Sequence, residues 1–244
     1  MSVILAHRGA SKERPENTMA AFRRAEELNV SGLEMDVHLL PDGTMIVRHD
    51  DNLGRCESVS GSIYSLSGAE AQKIPVGRNH PGEFENETMP SFGELLQWLQ
   101  TNRMFLNVEI KPGGFLSEVG ERTVEALEQH RMRERCIISS FDHHILREIK
   151  QRHPEYKVGI LYSQPCGDVV DYCLKYGFDA IHPYYRLISE PLVRDCHRSG
   201  IAVNVWTVDE PDDIRRMIEW GVDSVISNDA AAAQQILDSC NGKR

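Results

Sequence analysis

The amino-acid sequence predicts an α/β protein that forms a single (β/α)8 TIM barrel over residues 1–244. Three observations predict this fold: eight short β-rich segments, helical stretches between most of them, and glycines that follow several of the helices. Eight parallel strands joined by crossover helices close into a barrel with an outer ring of helices. A doubly wound open sheet is the alternative fold for the same alternation.

The barrel strands are predicted from short apolar runs that are bounded by polar or turn residues. Stretches with helical periodicity separate most of these runs, so we expect the strands to be parallel. The predicted strands are residues 3–6, 33–37, 105–110, 136–140, 158–161, 179–182, 202–206 and 222–227.

Helix boundaries are predicted from capping residues. Asn17 is the expected N-cap of a helix over residues 18–29. Ser91 and Glu94 form a capping-box pattern at the start of a helix over residues 91–102. The remaining signals are a helix over residues 115–130, Asp142 as an N-cap, and the helix-stopping glycines Gly177, Gly200 and Gly221.

A ninth strand is predicted at residues 44–49, outside the βα alternation. It follows the second barrel strand through Pro41-Asp42-Gly43, and Asp-Gly is a strong signal for a two-residue hairpin turn. With Asp42 and Gly43 as the turn residues, Asp36 is expected to lie directly opposite His49. The hairpin would then bring a carboxylate and a histidine together at the carboxyl end of a barrel strand.

Residues 51–90 lack clear periodicity and are too long for an ordinary connection. We expect an inserted subdomain that packs over or beside the active-site mouth. Its apolar anchors would be Ile63, Tyr64, Leu66, Ile74, Val76 and Phe84. Its charged residues are Arg55, Lys73, Arg78, Glu83, Glu85 and Glu87 among others, which gives it a polar character.

Composition excludes several classes of function. The formal net charge of −10 disfavours binding of nucleic acid, although a locally positive site could still hold a small phosphate. The first apolar run stops at His7, and no stretch approaches the ~18 apolar residues of a membrane span. None of the six cysteines forms a CxxC pair, which is typical of reduced thiols. We therefore expect a cytoplasmic protein without stable membrane insertion, and leave its oligomeric state open.

Polar residues lie where the predicted strands end, which is where barrel enzymes keep their chemistry. Glu34 and Asp36 are two residues apart and so share one face of their strand, as do Glu109 and Lys111. Their apolar neighbours should pack outward against the helices. The other polar or aromatic residues at strand ends are His7, Arg8, His49 and Trp206.

The carboxylates of Glu34, Asp36 and Glu109 are expected to point into the barrel and form a metal site. Three buried acidic groups cannot all stay ionised without a counter-charge. Oxygen ligands without cysteine indicate a hard divalent cation, Mg²⁺ or Ca²⁺, over Zn²⁺.

His7 and His49 suggest a general acid and a general base, because no nucleophilic serine or cysteine lies near them in the predicted site. Arg8 and Lys111 suit a phosphate group. A metal ion would offset charge that develops on the same phosphate. These residues predict phosphodiester cleavage as the reaction class.

Seven short motifs occur together in this order, and they resemble the glycerophosphodiester phosphodiesterase family in its short cytosolic bacterial form. The similarity covers nearly the whole chain. The motifs are Ala-His-Arg-Gly at 6–9, Pro-Glu-Asn-Thr at 15–18, Glu-Met-Asp-Val at 34–37, His-Asp at 49–50, Glu-Ile-Lys at 109–111, Ser-Ser-Phe at 139–141 and Val-Trp-Thr-Val at 205–208.

The resemblance implies a barrel with a small insertion, two catalytic histidines and three metal carboxylates. It implies catalysis by His7 and His49, metal binding by Glu34, Asp36 and Glu109, phosphate contacts by Arg8 and Lys111, and a glycerol pocket lined by Phe141 and Trp206.

The sequence departs from the family pattern at two places. Ser227-Asn228-Asp229-Ala230 replaces a Thr-Asp-Xaa-Pro type sequence after the last strand, and no role is assigned to it. His38 stands where smaller or apolar residues are common. By alternation it shares a face with Asp36, so it is a further candidate for the pocket.

The reaction implied by the resemblance is hydrolysis of glycerophosphodiesters to sn-glycerol 3-phosphate and an alcohol such as choline or ethanolamine. The attacking group would be either the glycerol 2-hydroxyl, with a cyclic phosphate as intermediate, or water. Two other readings stay open: a lysophospholipase D-like phosphodiesterase and a non-catalytic phosphoglycerol-binding barrel. A barrel glycosidase is disfavoured, because it uses a pair of carboxylates and does not require the two histidines.

Overall fold

A computed structural model describes residues 2–113 and 116–242. The strands are β1 (Val3–His7), β2 (Gly32–Leu39), β3 (Met45–Val47), β4 (Asn52–Leu53), β5 (Gly61–Ser62), β6 (Phe105–Ile110), β7 (Cys136–Ser140), β8 (Val158–Tyr162), β9 (Ala180–Pro183), β10 (Ala202–Val205) and β11 (Ser224–Ser227). The α-helices are α1 (Met19–Glu27), α2 (Gly68–Ala71), α3 (Phe92–Leu99), α4 (Leu116–Gln129), α5 (His143–Arg152), α6 (Val169–Tyr176), α7 (Glu190–Arg198), α8 (Pro211–Trp220) and α9 (Ala230–Asn241).

Within the described ranges, eight parallel strands close into a barrel in the order β1-β2-β6-β7-β8-β9-β10-β11. The barrel closes because β1 pairs with β2 on one side and with β11 on the other. The predicted (β/α)8 fold is confirmed, and the ends of the predicted strands lie within two residues of the observed ends.

The alternation within β2 separates the core from the site. Leu33, Met35 and Val37 are fully buried in the apolar layer between the strands and the surrounding helices. Glu34 and Asp36 alternate with them and therefore lie on the opposite face of the strand, inside the barrel. One strand thus contributes both to the core and to the interior polar cluster.

The helix caps agree in part with the sequence pattern. Asp142 caps α5, and Ser91 caps α3 by accepting a hydrogen bond from the Glu94 N–H. Gly177 and Gly221 end α6 and α8 in the left-handed conformation. The prediction for α1 is wrong, because its N-cap is Thr18, whose hydroxyl accepts from the Ala21 N–H. Asn17 is the residue before the cap.

The predicted hairpin exists, but its predicted register is wrong by one residue. Val37 pairs with Val47 and His38 with Ile46, so that the Arg48 N–H, and not His49, meets the carbonyl of Asp36, at 3.0 Å. The loop contains three residues, since the Leu40 N–H already donates to the Thr44 carbonyl. Gly43 has a φ of +84°, as expected for the last residue of a three-residue hairpin loop.

Residues 51–90 pack around a small apolar cluster that they share with the hairpin. Strands β4 and β5 pair, a 3-10 turn and α2 follow, and the cluster includes residues of the hairpin. Arg48, the residue after β3, forms a buried ion pair with Glu57. The buried members of the cluster are Leu40, Ile46, Cys56, Ile63, Ala71, Val76 and Met89. None of the helices in the described ranges has the length and apolarity required to cross a membrane.

Candidate active site

A cavity opens at the carboxyl ends of the barrel strands, and eight of the nine predicted site residues line it. The ninth, Asp36, is buried and lies beside Glu109 of the neighbouring strand. The lining residues are His7, Arg8, Glu34, His49, Asn107, Glu109, Lys111, Phe141, Leu161, Trp206, Thr207 and Ile226.

Glu34, Asp36 and Glu109 form a compact carboxylate cluster. Each offers an oxygen, and these oxygens lie within 4.8 Å of one another. All three side chains are buried. The cluster arises from strand register, because β2 supplies two carboxylates from one face and Asp36 is paired with Glu109 of β6.

Without a bound metal ion, the carboxylate cluster is electrostatically unfavourable. Burial, together with the charges of Asp36 and Glu109, raises the pKa of Glu34 well above its usual value. Burial and the Asp36 charge likewise raise the pKa of Glu109 to about 7. Burial would raise the pKa of Asp36 too, but Lys111 and Arg8 beside it hold that pKa below its usual range. Asp36 therefore favours its ionised form, whereas ionisation of Glu34 and Glu109 is disfavoured.

The cluster fits a hard divalent cation. The donors are carboxylate oxygens only, which suit Mg²⁺ or Ca²⁺ better than Zn²⁺. Asp36 Oδ1 is buried and, among the described residues, has no hydrogen-bond partner, although the Lys111 ammonium lies 3.3 Å away. An added cation would supply the missing contact and offset the burial and the mutual repulsion that together raise the pKa values of Glu34 and Glu109.

Two cations border the carboxylates. The Lys111 ammonium donates to Glu109 Oε1 at 2.6 Å. Arg8 Nη1 donates to Glu16 at 3.0 Å, while Arg8 Nε lies 3.5 Å from Asp36. Arg8 also has a φ of +58°, a conformation that costs energy for any residue but glycine. Its backbone N–H donates to both the carbonyl and the carboxylate of Glu34, which holds that conformation in place.

His7 is bonded to a neutral amide. Its Nδ1 lies 2.6 Å from Asn228 Oδ1. The Asn228 amide is itself oriented, because its Nδ2 and its backbone N–H both donate to Asp209. The oxygen therefore faces His7, so Nδ1 carries the proton and Nε2 is the basic nitrogen, 3.7 Å from Glu34. Burial, followed by the Arg8 charge, lowers the pKa of His7 to about 4.

His49 is bonded to a carboxylate. Its Nδ1 lies 2.6 Å from Asp50 Oδ1. Burial lowers the pKa of His49, and the Asp36 and Asp50 carboxylates partly offset that effect. His38 lies behind it, between the His49 carbonyl at 3.1 Å and the Tyr64 hydroxyl at 2.8 Å. His38 thus connects the hairpin to the insertion and is not among the described residues that line the cavity.

An aromatic pair forms one wall of the cavity. The rings of Phe141 and Trp206 meet edge to face with centroids 5.5 Å apart. The indole N–H of Trp206 donates to the His182 carbonyl at 2.7 Å, which fixes the ring. Phe141 is 41% exposed, so its ring is available to a ligand.

The sequence argument missed the polar residues that hold the predicted groups. Barrel closure predicts that Asn228, which follows the last strand, lies near the first strand, but it does not predict the direction of its side chain. Asp50 is the residue after His49. Asn17, assigned to a helix cap, in fact donates to Asp36 at 2.8 Å. Glu16 lies in the Pro-Glu-Asn-Thr motif, but its partner Arg55, like the partner Asn228 of Asp209, comes from a distant segment that the sequence does not show to be adjacent.

The site combines two differently held imidazoles, two cations and a carboxylate cluster that fits a metal ion. An anionic group bound by Arg8 and Lys111 would share the cavity with both imidazoles. Such an arrangement can transfer protons to and from an ester of phosphate.

A sequence profile of the Glycerophosphoryl diester phosphodiesterase family matches residues 7–232 of the chain. Among the relatives of the chain, a glycerophosphodiester phosphodiesterase of Caldanaerobacter subterraneus subsp. tengcongensis is 37% identical over 231 residues. That alignment covers 93% of this chain and 94% of the relative.

Solved structures agree with this similarity. A phosphodiesterase of Oleispira antarctica, in complex with the product sn-glycerol-3-phosphate, superposes with a TM-score of 0.91 at 28% identity and covers 98% of this chain and 97% of its own. A glycerophosphodiester phosphodiesterase of Thermotoga maritima superposes with a TM-score of 0.76 at 27% identity, over 95% and 96% of the two chains.

Proposed function

The chain belongs to the glycerophosphoryl diester phosphodiesterase family and is an enzyme of that class, and we propose that it hydrolyses small glycerophosphodiesters such as glycerophosphocholine and glycerophosphoethanolamine. The products would be sn-glycerol 3-phosphate and the free alcohol. The observation that carries the proposal is that two imidazoles with different hydrogen-bond partners line one cavity together with Arg8, Lys111, Glu34 and Glu109.

Arg8 and Lys111 would bind the phosphodiester. Arg8 keeps its guanidinium at the cavity because Glu16 binds one nitrogen and Asp36 lies near another. Burial lowers the pKa of Lys111, but Asp36 and Glu109 outweigh this and raise it, so the ammonium stays charged. A bound phosphate would therefore meet two permanent positive charges.

Glu34, Asp36 and Glu109 would hold a Mg²⁺ or Ca²⁺ ion, which when bound supplies positive charge to the phosphate oxygens. The protein's part is to keep the carboxylates converged. Lys111 and Asn17 do this by binding Glu109 and Asp36.

His7 is proposed as the general base and His49 as the general acid. The Nδ1 proton of His7 is bound by an amide oxygen, which leaves Nε2 free to accept a proton from the attacking hydroxyl. The Nδ1 of His49 is bound by the Asp50 carboxylate, which stabilises the imidazolium that protonates the departing alcohol. A bound phosphodiester would add negative charge and favour the protonated form of His49 further.

Phe141 and Trp206 are proposed to pack against the carbon face of the glycerol. The attacking hydroxyl belongs either to the glycerol, at its second carbon, or to water. The first route releases the alcohol and forms a cyclic phosphate that water then opens. Observation of a cyclic phosphate by ³¹P NMR during turnover would distinguish the two routes.

The experiment that tests the function is release of glycerol 3-phosphate from a panel of glycerophosphodiesters. Turnover of glycerophosphocholine or glycerophosphoethanolamine is expected, with loss in EDTA and recovery with Mg²⁺ or Ca²⁺. A lysophospholipid in the same panel tests the lysophospholipase D-like reading. Binding of glycerol 3-phosphate without any turnover of the panel would contradict the proposal and indicate a non-catalytic binding protein.

A further inference from the structure

Arg55, in the loop between β4 and β5, links the partners of two proposed site residues. Its Nε donates to the Asp50 carboxylate, whose other oxygen binds His49. Its two terminal nitrogens donate to the two oxygens of Glu16, at 2.7 and 2.6 Å. The same Glu16 carboxylate accepts from Arg8. One guanidinium therefore contacts both the His49 side and the Arg8 side of the cavity.

The backbone that carries Arg55 is fixed by buried groups. Glu57 is fully buried, and its carboxylate accepts from the N–H groups of Gly54 and Cys56, the residues on either side of Arg55. Glu57 is paired in turn with Arg48. Arg48 also donates to the Asp50 carbonyl at 2.6 Å, so the segments that carry Arg55 and Asp50 share one anchor.

Arg55 does not touch the reacting groups itself. Glu16, Asp50 and Arg55 are all absent from the described residues that line the cavity. The side chain of Arg55 is 44% exposed, and ion pairs at such exposure contribute little to the free energy of folding. Its five donors in a planar fork instead fit the task of orienting two carboxylates at once.

We propose that Arg55 is a positioning residue for the reaction, which holds Asp50 against His49 and Glu16 against Arg8. This inference rests on the proposed function. It makes the insertion a part of the catalytic apparatus, since the residue that aligns both sides belongs to residues 51–90.

The contacts of Arg55 with Asp50 and with Glu16 are expected to have separable kinetic effects. Asp50→Asn weakens only the support of the proton donor and is expected to lower kcat. Glu16→Gln weakens only the support of Arg8 and is expected to raise KM. Arg55→Met is expected to do both, with kcat lowered about 10- to 100-fold, by analogy with the loss of side chains that orient metal ligands.

The matched control is Arg78→Met in the same insertion. Arg78 donates to the carbonyls of Gly54 and Glu57, so its loss loosens the same loop. It does not contact the two carboxylates that Arg55 binds. Arg78→Met is expected to stay within threefold of the wild-type kcat. Arg55→Lys keeps the charge but loses the fork, and is expected to retain less than a fifth of the wild-type kcat.

Kinetics on glycerophosphocholine, with melting temperatures for every variant, provide the test. Equal losses in Arg55→Met and Arg78→Met, or wild-type kcat in both Arg55→Met and Arg55→Lys, would overturn the inference. Additive losses of activation free energy in the Arg55→Met/Asp50→Asn double variant would overturn it as well. If the two residues act through one contact, the double variant should lose less than the sum of the two single losses. Absence of turnover by the wild-type protein would refute the proposed function instead.

A spectroscopic readout is independent of turnover. The ¹⁵N shifts of His49, assigned by comparison with His49→Gln, report which ring nitrogen carries the proton. In the wild type the Nδ1 proton should be fixed by Asp50, and in Arg55→Met the two tautomers should mix. Unchanged shifts in Arg55→Met would contradict a positioning role, whatever the kinetics show.

Discussion

The two histidines of the cavity have partners of opposite electrical character. His7 is on a barrel strand and is bonded to the neutral amide of Asn228, whereas His49 follows the hairpin and is bonded to the Asp50 carboxylate. An amide oxygen fixes a tautomer without attracting a proton to the other nitrogen, while a carboxylate favours the imidazolium. The difference supports the proposed roles of His7 as the base and His49 as the acid.

Removal of either imidazole is expected to have the largest effect. His7→Ala and His49→Ala should each lower kcat by about 10³-fold, within the range for general acid–base groups, and leave the fold intact. An aryl ester such as glycerophospho-p-nitrophenol should restore the kcat of His49→Ala far more than that of His7→Ala, because p-nitrophenolate leaves without a proton. Steady-state kinetics on both esters, with melting curves, provide the measurement. Equal rescue of the two variants would refute the assignment of roles.

Replacement of the hydrogen-bond partner of His7 is expected to have the next largest effect. Asn228→Asp gives His7 a carboxylate partner next to Asp209, and should lower kcat about 10- to 100-fold because the base is then protonated. Asp229→Asn is the control, since Asp229 caps α9 and binds Lys12 without contacting His7. A wild-type kcat in Asn228→Asp would show that the amide partner is dispensable.

A third histidine shows what burial does without a charged partner. His182 is fully buried in the barrel, where its Nε2 lies 2.9 Å from Asn204 Nδ2, and burial lowers its pKa to about 3. Its ordinary pKa is 6.5, so between these two values the unfolded chain binds a proton that the folded chain does not. Its contribution to stability is therefore lost as the pH falls below 6.5, by about 1.4 kcal/mol per pH unit.

His182→Gln should remove that pH dependence. Urea unfolding at a series of pH values between 5 and 7.5 should give a flatter stability curve than the wild type, by about 2 kcal/mol at the acid end. Parallel curves for the two proteins would contradict a neutral, buried imidazole at this position.

The smallest expected effect concerns the hairpin that leads to His49. Gly43 has a φ of +84°, and Gly43→Ala should destabilise the protein by about 1 kcal/mol through backbone strain alone. Its kcat should stay within twofold, because Arg48 and the insertion fix His49 independently of the turn. Gly93→Ala, at an exposed position of α3, is the control and should be neutral or stabilising. A large loss of kcat in Gly43→Ala would show that the turn itself aligns His49.

The sequence predicted those features that depend on strand period and strand ends. Apolar alternation in β2 placed Glu34 and Asp36 on the inner face, and closure then brought the strand-end residues to one cavity. The register of the hairpin could not be predicted from Asp42-Gly43, because the same dipeptide ends a three-residue loop as readily as it forms a two-residue turn.

The supporting contacts could not be predicted for a different reason. The bond from Asn228 to His7 joins residues 221 apart, and the bonds from Arg55 to Glu16 join residues 39 apart. Such pairs depend on side-chain orientation in loops, which neither periodicity nor capping chemistry determines. Asn17 illustrates the ambiguity, since a short amide before a helix can either cap it or, as here, bind a carboxylate on the next strand.

The pairing of the first strand with the last has a consequence for synthesis of the protein. His7 leaves the ribosome early, but its partner Asn228 is added 221 residues later, which is roughly 10 to 40 s of translation. Throughout that interval the nascent chain contains the imidazole without the group that sets its tautomer. With His7 as the proposed base, fragments that end before β11 lack its Asn228 partner and are expected to be inactive.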